Sequence, residues 1–346
     1  MRYPVEQIRS YCEEVWIKAG LSPEDAKVCV DVLLAADLRG QRTHGVTHMR
    51  DYCDRMVKGT STPGADAEFD LTSPTSYVVD AKYGVGMVVA PKAMKKCMEQ
   101  AKISGACFAS IHNACHYGLG AYYPMMALEE DMIAFSFANA PALVAPFGGA
   151  DPCLGTNPIS VAIPAGKYPP LVMDIATSVV AKGRIHLAMK EGQSIPEGWA
   201  LDKEGRPTTD PFEANVGVLM PFGAHKGYAM ELIGSLLSFA LSGADMDGKI
   251  PRPFECRDQF TNIGQFMGCI DISRFCPVED FKARVDGMFA VLKACRPAAG
   301  SPGVMIPGEI EVRKTEEALR DGIDLSEAVL GEFREMSQTF GVPCPF

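Results

Sequence analysis

Near the N-terminus, apolar positions recur at helical spacing. Pro4 to Ala19 predicts one helix, stopped by Gly20. Ser22-Pro23-Glu24-Asp25 then supplies an N-cap, a proline at the first helical position and acids in the first turn. That second helix runs to about Leu38 and ends at Gly40, and a third is predicted from about His44 to Val57. Gly59 to Pro63 reads as a linker. From about Ser76 the pattern changes. Strands are predicted at Tyr77 to Val79, Ala106 to Ile111, Met132 to Ala138, Ile159 to Ile163, Leu171 to Ile175 and Phe266 to Ile272. Helices are predicted at Ala90 to Ile103, Ala121 to Glu130, Val179 to Met189, Lys226 to Leu241 and Phe281 to Cys295. Strands alternating with helices imply an α/β sheet. The tail, Ser326 to Phe340, returns to helix and is expected to pack on the N-terminal helices.

Composition narrows this little and charge narrows it more. The 346 residues are 47% hydrophobic and 22% charged, which suits a soluble globular chain of two domains, or one large α/β domain with additions. A net charge of −10, with no basic run, argues against a nucleic-acid partner. The N-terminus lacks the apolar core of a signal peptide, and the longest apolar stretch, Tyr228 to Leu241, contains Glu231 and is too short to span a bilayer. The expectation is a soluble cytoplasmic protein with no membrane partner. The 12 cysteines show no C-x-x-C spacing and read as buried, reduced hydrophobes; Cys115, beside His116, is the one to watch.

The chemistry gathers in a few places. His44, His48 and Tyr52 are spaced i, i+4, i+8, which would stack them on one helical face. Histidine is the side chain that titrates nearest neutrality. His44 and His48 also fit a metal pair, but the metalloprotease glutamate is absent and no third ligand has telling spacing, so no metal is assigned. His116-Tyr117-Gly118-Leu119-Gly120 joins a strand to a helix, where backbone N–H groups can approach a phosphate. It is not a Rossmann fingerprint, because Tyr123 stands where the third glycine belongs. Phe147 to Pro158 is a glycine-rich loop in which Thr156 and Asn157 could bind a ligand or their own turn. Asp174-Ile175-Ala176-Thr177-Ser178 leaves a strand and opens a helix. Lys182, Arg184, His225 and Lys226 lie near helix starts, where a cation is out of place unless an anion joins it.

Taken in order, these residues resemble the type 2 malate/L-lactate dehydrogenase family, whose members include ureidoglycolate and sulfolactate dehydrogenases, diketogulonate reductase and cyclic-imine carboxylate reductases. The resemblance is full-length. It rests on Thr43-His44-Gly45, His116-Tyr117-Gly118, Pro146 to Pro158, Asp174 to Ser178, Pro196 to Ala200, Thr209-Asp210-Pro211, His225-Lys226-Gly227 and Pro307-Gly308-Glu309. It implies reversible hydride transfer between NAD(H) or NADP(H) and a small 2-oxo or 2-hydroxy acid. It also implies a dinucleotide-binding α/β sheet that is not the Rossmann fold, and a homodimer. Residues 1–75 would form a helical part contributing to the substrate site, 76–300 the cofactor-binding core, and 301–346 a segment returning to the N-terminal helices. The cofactor would lie against His116, Tyr117, Gly118, Leu119 and Gly120, then Asp174, Ile175 and Ala176, then Lys182 and Gly183, His225 and Lys226, and Pro307 and Gly308. His44 or His116 would move the proton, with His44 favoured and Thr43 its neighbour. His48, Tyr52 and Thr156 would contact the substrate.

The chain also departs from the family pattern. Many members carry at position 48 an arginine that grips the substrate carboxylate as a bidentate fork, where this chain has His48. Arg50, two residues on, is expected to point away. Imine reductases of the family carry aspartate at the position of Arg184 and serine at that of Thr43, which favours the hydroxyacid branch over cyclic-imine reduction. A nucleotide-binding protein without turnover is the non-enzymatic alternative.

Overall fold

A computed structural model describes residues 1–346. Strand β1 (Arg2–Tyr3) leads into α1 (Val5–Lys18) and α2 (Pro23–Leu38). Two single 3-10 turns, Arg42–His44 and Val46–His48, precede α3 (Met49–Val57). β2 (Glu68–Ser73) and β3 (Ser76–Asp80) form a hairpin, and α4 (Gly86–Ser104) crosses to β4 (Ala106–Ala114). α5 (Tyr122–Met126) is followed by β5 (Met132–Ala138), β6 (Ile159–Ile163), β7 (Leu171–Ile175) and α6 (Lys182–Glu191). β8 (Ala200–Leu201), β9 (Pro207–Thr208) and β10 (Val218–Leu219) make a small separate sheet, with α7 (Pro211–Val216) between its last two strands. α8 (His225–Ser235) continues through a π-helical turn, Leu236–Ala240. Last come β11 (Ile263–Asp271), α9 (Val278–Lys293), α10 (Glu309–Asp321), β12 (Ile323–Asp324) and α11 (Glu327–Phe340).

The main sheet has seven strands in the order β2-β3-β4-β11-β5-β6-β7. Only β3 and β4 run parallel, as a helical crossover requires; every other neighbouring pair is antiparallel. The α/β class is as expected, but the sheet is mixed rather than parallel. β5 shows half-buried strand chemistry plainly, with buried residues strictly alternating. On one side of the molecule α1, α2, α3 and α11 share a core that includes Trp16, Leu33, Met49 and Phe333. Tyr11 and Phe333 bring α1 and α11 together, their ring centroids 5.0 Å apart. A second core lies between α4 and the sheet, built from Met94, Cys97, Ile111 and Met267 among others.

Local signals explain several element boundaries. Ser22 caps α2, its hydroxyl accepting from Asp25 N–H at 3.1 Å, with Pro23 next. The predicted third helix is corrected: Gly45 is extended (φ −92, ψ −152) and breaks it, so helix begins only at Met49. α6 starts at Lys182 instead of Val179, because Val179 N–H is taken by Met220 O (2.9 Å) and Ser178 bridges to Pro221. α10 had no counterpart in the sequence reading. Its signal was Gly308 in left-handed conformation followed by Glu309 and Glu311 in the first turn.

Candidate active site

The site is built where α2 and α3 meet the loop that leaves β4. Gly86 opens α4 directly beneath that loop; a Cβ there would stand 2.5 Å from His116 O and 2.6 Å from Cys115 O. Gly118 is required twice over, by φ +72 and by Val32, 2.8 Å from where its Cβ would be. These close approaches hold the His116 backbone rigidly.

His116 Nδ1 accepts the Gly118 N–H at 3.2 Å, and the Tyr52 hydroxyl lies 2.6 Å from the same nitrogen. An amide N–H only donates, so Nδ1 is the unprotonated nitrogen and the tyrosine also donates to it. The Tyr52 phenol stays protonated, burial pushing its pKa well above the ordinary value. The proton of neutral His116 therefore sits on Nε2, facing away from Tyr52. Burial first, then His44, His48 and Arg55, push the His116 pKa well below the usual histidine value. At neutral pH His116 is an uncharged Nε2–H donor, a group that polarises a carbonyl oxygen without carrying a full charge.

His44 stacks beside it, ring centroids 6.0 Å apart and planes 24° from parallel. Its Nδ1 is 3.1 Å from Thr43 Oγ1, and Thr43 lies against Gly183 at the start of α6. His44 keeps a face open to solvent, yet its ring is crowded by the surrounding elements. That crowding lowers its pKa; the Asp174 carboxylate pulls it back up and His48 pushes it down. Of the two stacked imidazoles, His44 is the one that retains a charge partner.

The expected stripe of His44, His48 and Tyr52 on one helical face does not exist, because His44 and His48 sit on separate 3-10 turns. The structure substitutes a different cluster. Tyr52 meets His44 through His116. His48 reaches the same group through Phe254, which stacks on His48 at 3.9 Å and meets His116 at 5.0 Å and Tyr52 at 5.8 Å. His48 Nδ1 bonds Asp51 Oδ2 at 2.7 Å, and Asp51 in turn pairs with Arg257 at 2.5 Å. Arg50 faces elsewhere, bound to Asp54 and Glu335. Buried Arg55 donates to the carbonyls of Pro253, Cys256, Gln259 and Thr60 and so fastens the Phe254 segment over the site. Phe254, Arg55, Asp51 and Arg257 were missed in the sequence, since nothing local marks a partner two hundred positions away.

Of the residues expected at the cofactor, some adjoin this cluster and others lie apart from it. Gly120 adjoins Ser160 and Asp174, with Ser160 Oγ donating to Asp174 Oδ1 at 2.6 Å. Tyr117 and Leu119 are buried beneath the loop. Ile175 and Ala176 end β7 with exposed surface. Pro307 O accepts from Val172 N–H at 3.0 Å, and Gly308 (φ +100) packs on Val172 of the same strand as Asp174. Lys182 Nζ donates to Asn215 O at 3.1 Å, and Gly183 is exposed. His225 and Lys226 open α8, exposed and without a side-chain cap, His225 beside Phe147 at 5.8 Å. Two helices, α6 and α8, thus begin with cations and no capping side chain. His225 meets the Phe147 loop, and no ring contact joins it to the histidine cluster.

Thr156 is gripped from both sides. Its neighbours Gly155 N–H and Asn157 Nδ2 donate to buried Asp247 at 2.8 and 2.7 Å, and its own carbonyl accepts from Thr177 N–H at 2.9 Å and Thr177 Oγ1 at 3.0 Å. Cys115 is buried, its thiol against Thr60 O and Tyr83 O. No group of three or more His, Cys, Asp or Glu side chains gathers into a metal site.

Tyr52→Phe removes one of the two donors to His116 Nδ1, a loss of about 1 kcal/mol, so kcat should fall roughly fivefold with nucleotide affinity unchanged. Steady-state kinetics beside a nucleotide titration checks this; an undiminished kcat would show that Tyr52 does not set the imidazole.

The malate/L-lactate dehydrogenase family matches residues 3–334. The chain is 36% identical over 350 residues to a malate dehydrogenase of Pyrococcus horikoshii, covering 99% of this chain and 96% of that one. It is 30% identical to the ureidoglycolate dehydrogenase (NAD(+)) of Escherichia coli, covering 95% and 94%. It is 31% identical to a (2R)-3-sulfolactate dehydrogenase (NADP(+)) of Chromohalobacter salexigens, covering 91% and 92%. The solved structure of sulfolactate dehydrogenase from Methanocaldococcus jannaschii superposes with a TM-score of 0.95 at 34% identity, covering 99% of this chain and 98% of that one.

Proposed function

We propose, on the premise that this chain belongs to the malate/L-lactate dehydrogenase family, that it moves a hydride reversibly between NAD(P)H and a small 2-oxo/2-hydroxy acid, with His44 as the acid–base. It is an NAD(P)-dependent oxidoreductase of the hydroxyacid class. The nicotinamide, when bound, supplies or accepts the hydride at the carbon bearing oxygen. The residues fit such a group: Asp174 to Ala176 close β7, Pro307-Gly308 pack on Val172 of the same strand, and the uncapped starts of α6 and α8 offer N–H groups and cations to phosphates.

The observation that carries this reading is the pair of stacked imidazoles, one locked as a neutral Nε2–H donor and one left beside a carboxylate. In reduction His116 orients and polarises the carbonyl oxygen, and His44 gives the proton. In oxidation His44 takes it back. Thr43 steadies His44 through its Nδ1, and Thr156 holds the substrate beside them. With the His44 pKa lowered, reduction weakens as pH rises through that value, because the imidazolium is lost, and oxidation strengthens over the same range.

Purified protein assayed with NADH and NADPH against a panel of 2-oxo acids tests the reading. Turnover of one or more members is expected. Nucleotide binding without turnover on any of them would point to the non-enzymatic alternative, and no nucleotide binding would end the proposal. Δ1-piperideine-2-carboxylate in the same panel separates imine reduction, which Arg184 and Thr43 disfavour.

His48 sets the substrate preference in this proposal. Its bond to Asp51 fixes a proton on Nδ1 and its ring is spent stacking on Phe254, so the pocket lacks a bidentate fork. His48→Arg is expected to raise kcat/KM for unbranched 2-oxo acids by about tenfold. An unchanged ranking across the panel would remove His48 as the determinant.

The homodimer belongs to the same proposal. Met230, Ile233 and Leu236 form an exposed apolar row on α8 and its continuation, a face suited to a second copy. Light scattering of the purified protein decides it. No helix is long and apolar enough to cross a membrane.

A further inference from the structure

We infer that Asp37 is a positioning residue for His44, its carboxylate clamping the turn that aims the imidazole and loosening that aim when it takes a proton. The inference rests on His44 as the acid–base.

Asp37 stands near the end of α2 and is only 7% exposed. Its Oδ2 accepts the Val46 N–H at 2.8 Å, its single hydrogen bond. On the other side it presses on Gly45: a Cβ at that position would lie 2.2 to 2.3 Å from Oδ1, Cγ and Oδ2. The carboxylate therefore fills the space any side chain at 45 would need, and it holds the Gly45–Val46 peptide, one beyond His44. The rest of the turn hangs on backbone bonds to the same helix end, His44 N–H to Gln41 O (2.9 Å) and Gln41 N–H to Ala36 O (2.8 Å). The His44 side chain thus projects from a turn with one buried side-chain anchor, Asp37, beside the exposed Arg42–Asp324 pair, and the buried anchor can titrate.

Burial pushes the Asp37 pKa up to about 7, against the Val46 N–H and Arg42, which pull it down. A cavity of about 260 Å³ reaches Asp37 from the surface and gives the proton a path. The charged groups around it are Arg42 of the turn itself, Arg2 of β1, Asp324 of β12, and Lys314 and Glu317 of α10. Behind it lies the Cys12 thiol of α1, which responds to the Asp37 charge, and His44 follows on the turn. Arg2 is committed to Glu317 and Asp321, and Arg42 to Asp324. None of these cations makes a direct pair with Asp37, so its charge is answered chiefly by the Val46 N–H. Protonation halves the acceptor strength of that contact without changing the packing on Gly45.

The pH dependence of kcat in the reduction direction provides the test, using full-length protein, saturating NADH or NADPH and the 2-oxo acid turned over best. Loss of the His44 proton lowers the rate as pH rises, whereas protonation of Asp37 lowers it as pH falls below about 7, so the two limbs have opposite sign. Asp37→Asn keeps an oxygen for Val46 N–H but cannot ionise. It should behave at every pH as the protonated acid does, with kcat at pH 8 lowered about threefold and no acid-side decline. Asp37→Ala should lower kcat at least tenfold across the range with nucleotide affinity unchanged. An Asp37→Asn enzyme that keeps the wild-type acid limb overturns the inference, as does a fully active Asp37→Ala; if the alanine variant does not fold, the asparagine profile decides alone. His44→Ala run in parallel separates the two levels. Full activity there removes the acid–base assignment itself, whereas an inactive His44→Ala beside an unaltered Asp37→Asn profile removes only the role of Asp37.

Discussion

Replacing His44 with alanine should lower kcat by about 10²- to 10⁴-fold in both directions while nucleotide affinity stays nearly constant. The size follows from the division of labour between the two imidazoles. His116 cannot take over, because its Nδ1 is occupied by Gly118 N–H and the Tyr52 hydroxyl, and burial keeps it neutral. Thr43, whose Oγ1 sits 3.1 Å from His44 Nδ1, cannot deliver a proton at neutral pH. The residual rate should come from positioning and from the His116 N–H alone. Loss of nucleotide absorbance gives kcat, and nucleotide fluorescence gives the dissociation constant. A variant with full turnover would transfer the acid–base role to another group. A variant that loses nucleotide binding equally would make His44 a binding residue.

Asp247→Ala should be the most damaging change outside the reacting groups. Asp247, 2% exposed, accepts from Asn139 Nδ2 (2.9 Å), Gly155 N–H (2.8 Å), Asn157 Nδ2 (2.7 Å) and Ser235 Oγ (3.0 Å). Alanine leaves three buried donors without an acceptor, Asn139 Nδ2 keeping Asp245 O at 2.8 Å, and a destabilisation of roughly 3–5 kcal/mol is expected, water entering the cavity to limit it. Thermal unfolding followed by circular dichroism should show Tm lower by about 5–10 °C. KM for the 2-oxo acid should rise as well, since both flanks of Thr156 lose their anchor. The effect on Glu231 is opposite in sign. That side chain is fully buried with neither oxygen bonded, and burial, then Asp247, push its pKa up to about 8. Removing Asp247 withdraws a like charge, so Glu231 ionises at lower pH in the variant. An unchanged Tm would show that the loop stands without its hub.

What the sequence made readable was local. The cap of α2 is written in Ser22-Pro23-Glu24-Asp25, and the loop after His116 needs its glycines because Val32 leaves Gly118 no room for a side chain. His44, His116 and Tyr52 were legible as chemistry, but their geometry was not. Helical spacing placed His44 above His48, whereas extended Gly45 separates them, and His116 arrives from a different element to take the place beside His44. The supports were illegible for a different reason. Arg55 bonds Pro253 O, and Asp247 bonds Asn157 and Gly155; each partner is ordinary in its own neighbourhood and acquires meaning only when the chain has folded. Asp37 is intermediate. It lies close in sequence to Gly45, and only the absence of room for a Cβ at Gly45 shows what the two do together.

The place of β11 bears on how such a chain can be made at all. It lies in the middle of the main sheet, hydrogen-bonded to β4 on one side and β5 on the other, yet it is the last of the seven strands to leave a ribosome. Until residue 271 has been synthesised, β4 and β5 each carry an open edge of unpaired N–H and C=O groups, and both edges are apolar on the face toward α4. A chain ended by a premature stop ahead of Ile263 would be caught in that state. It would retain every histidine of the site and none of the strand that closes the sheet, and its fate would be aggregation or proteolysis rather than partial activity.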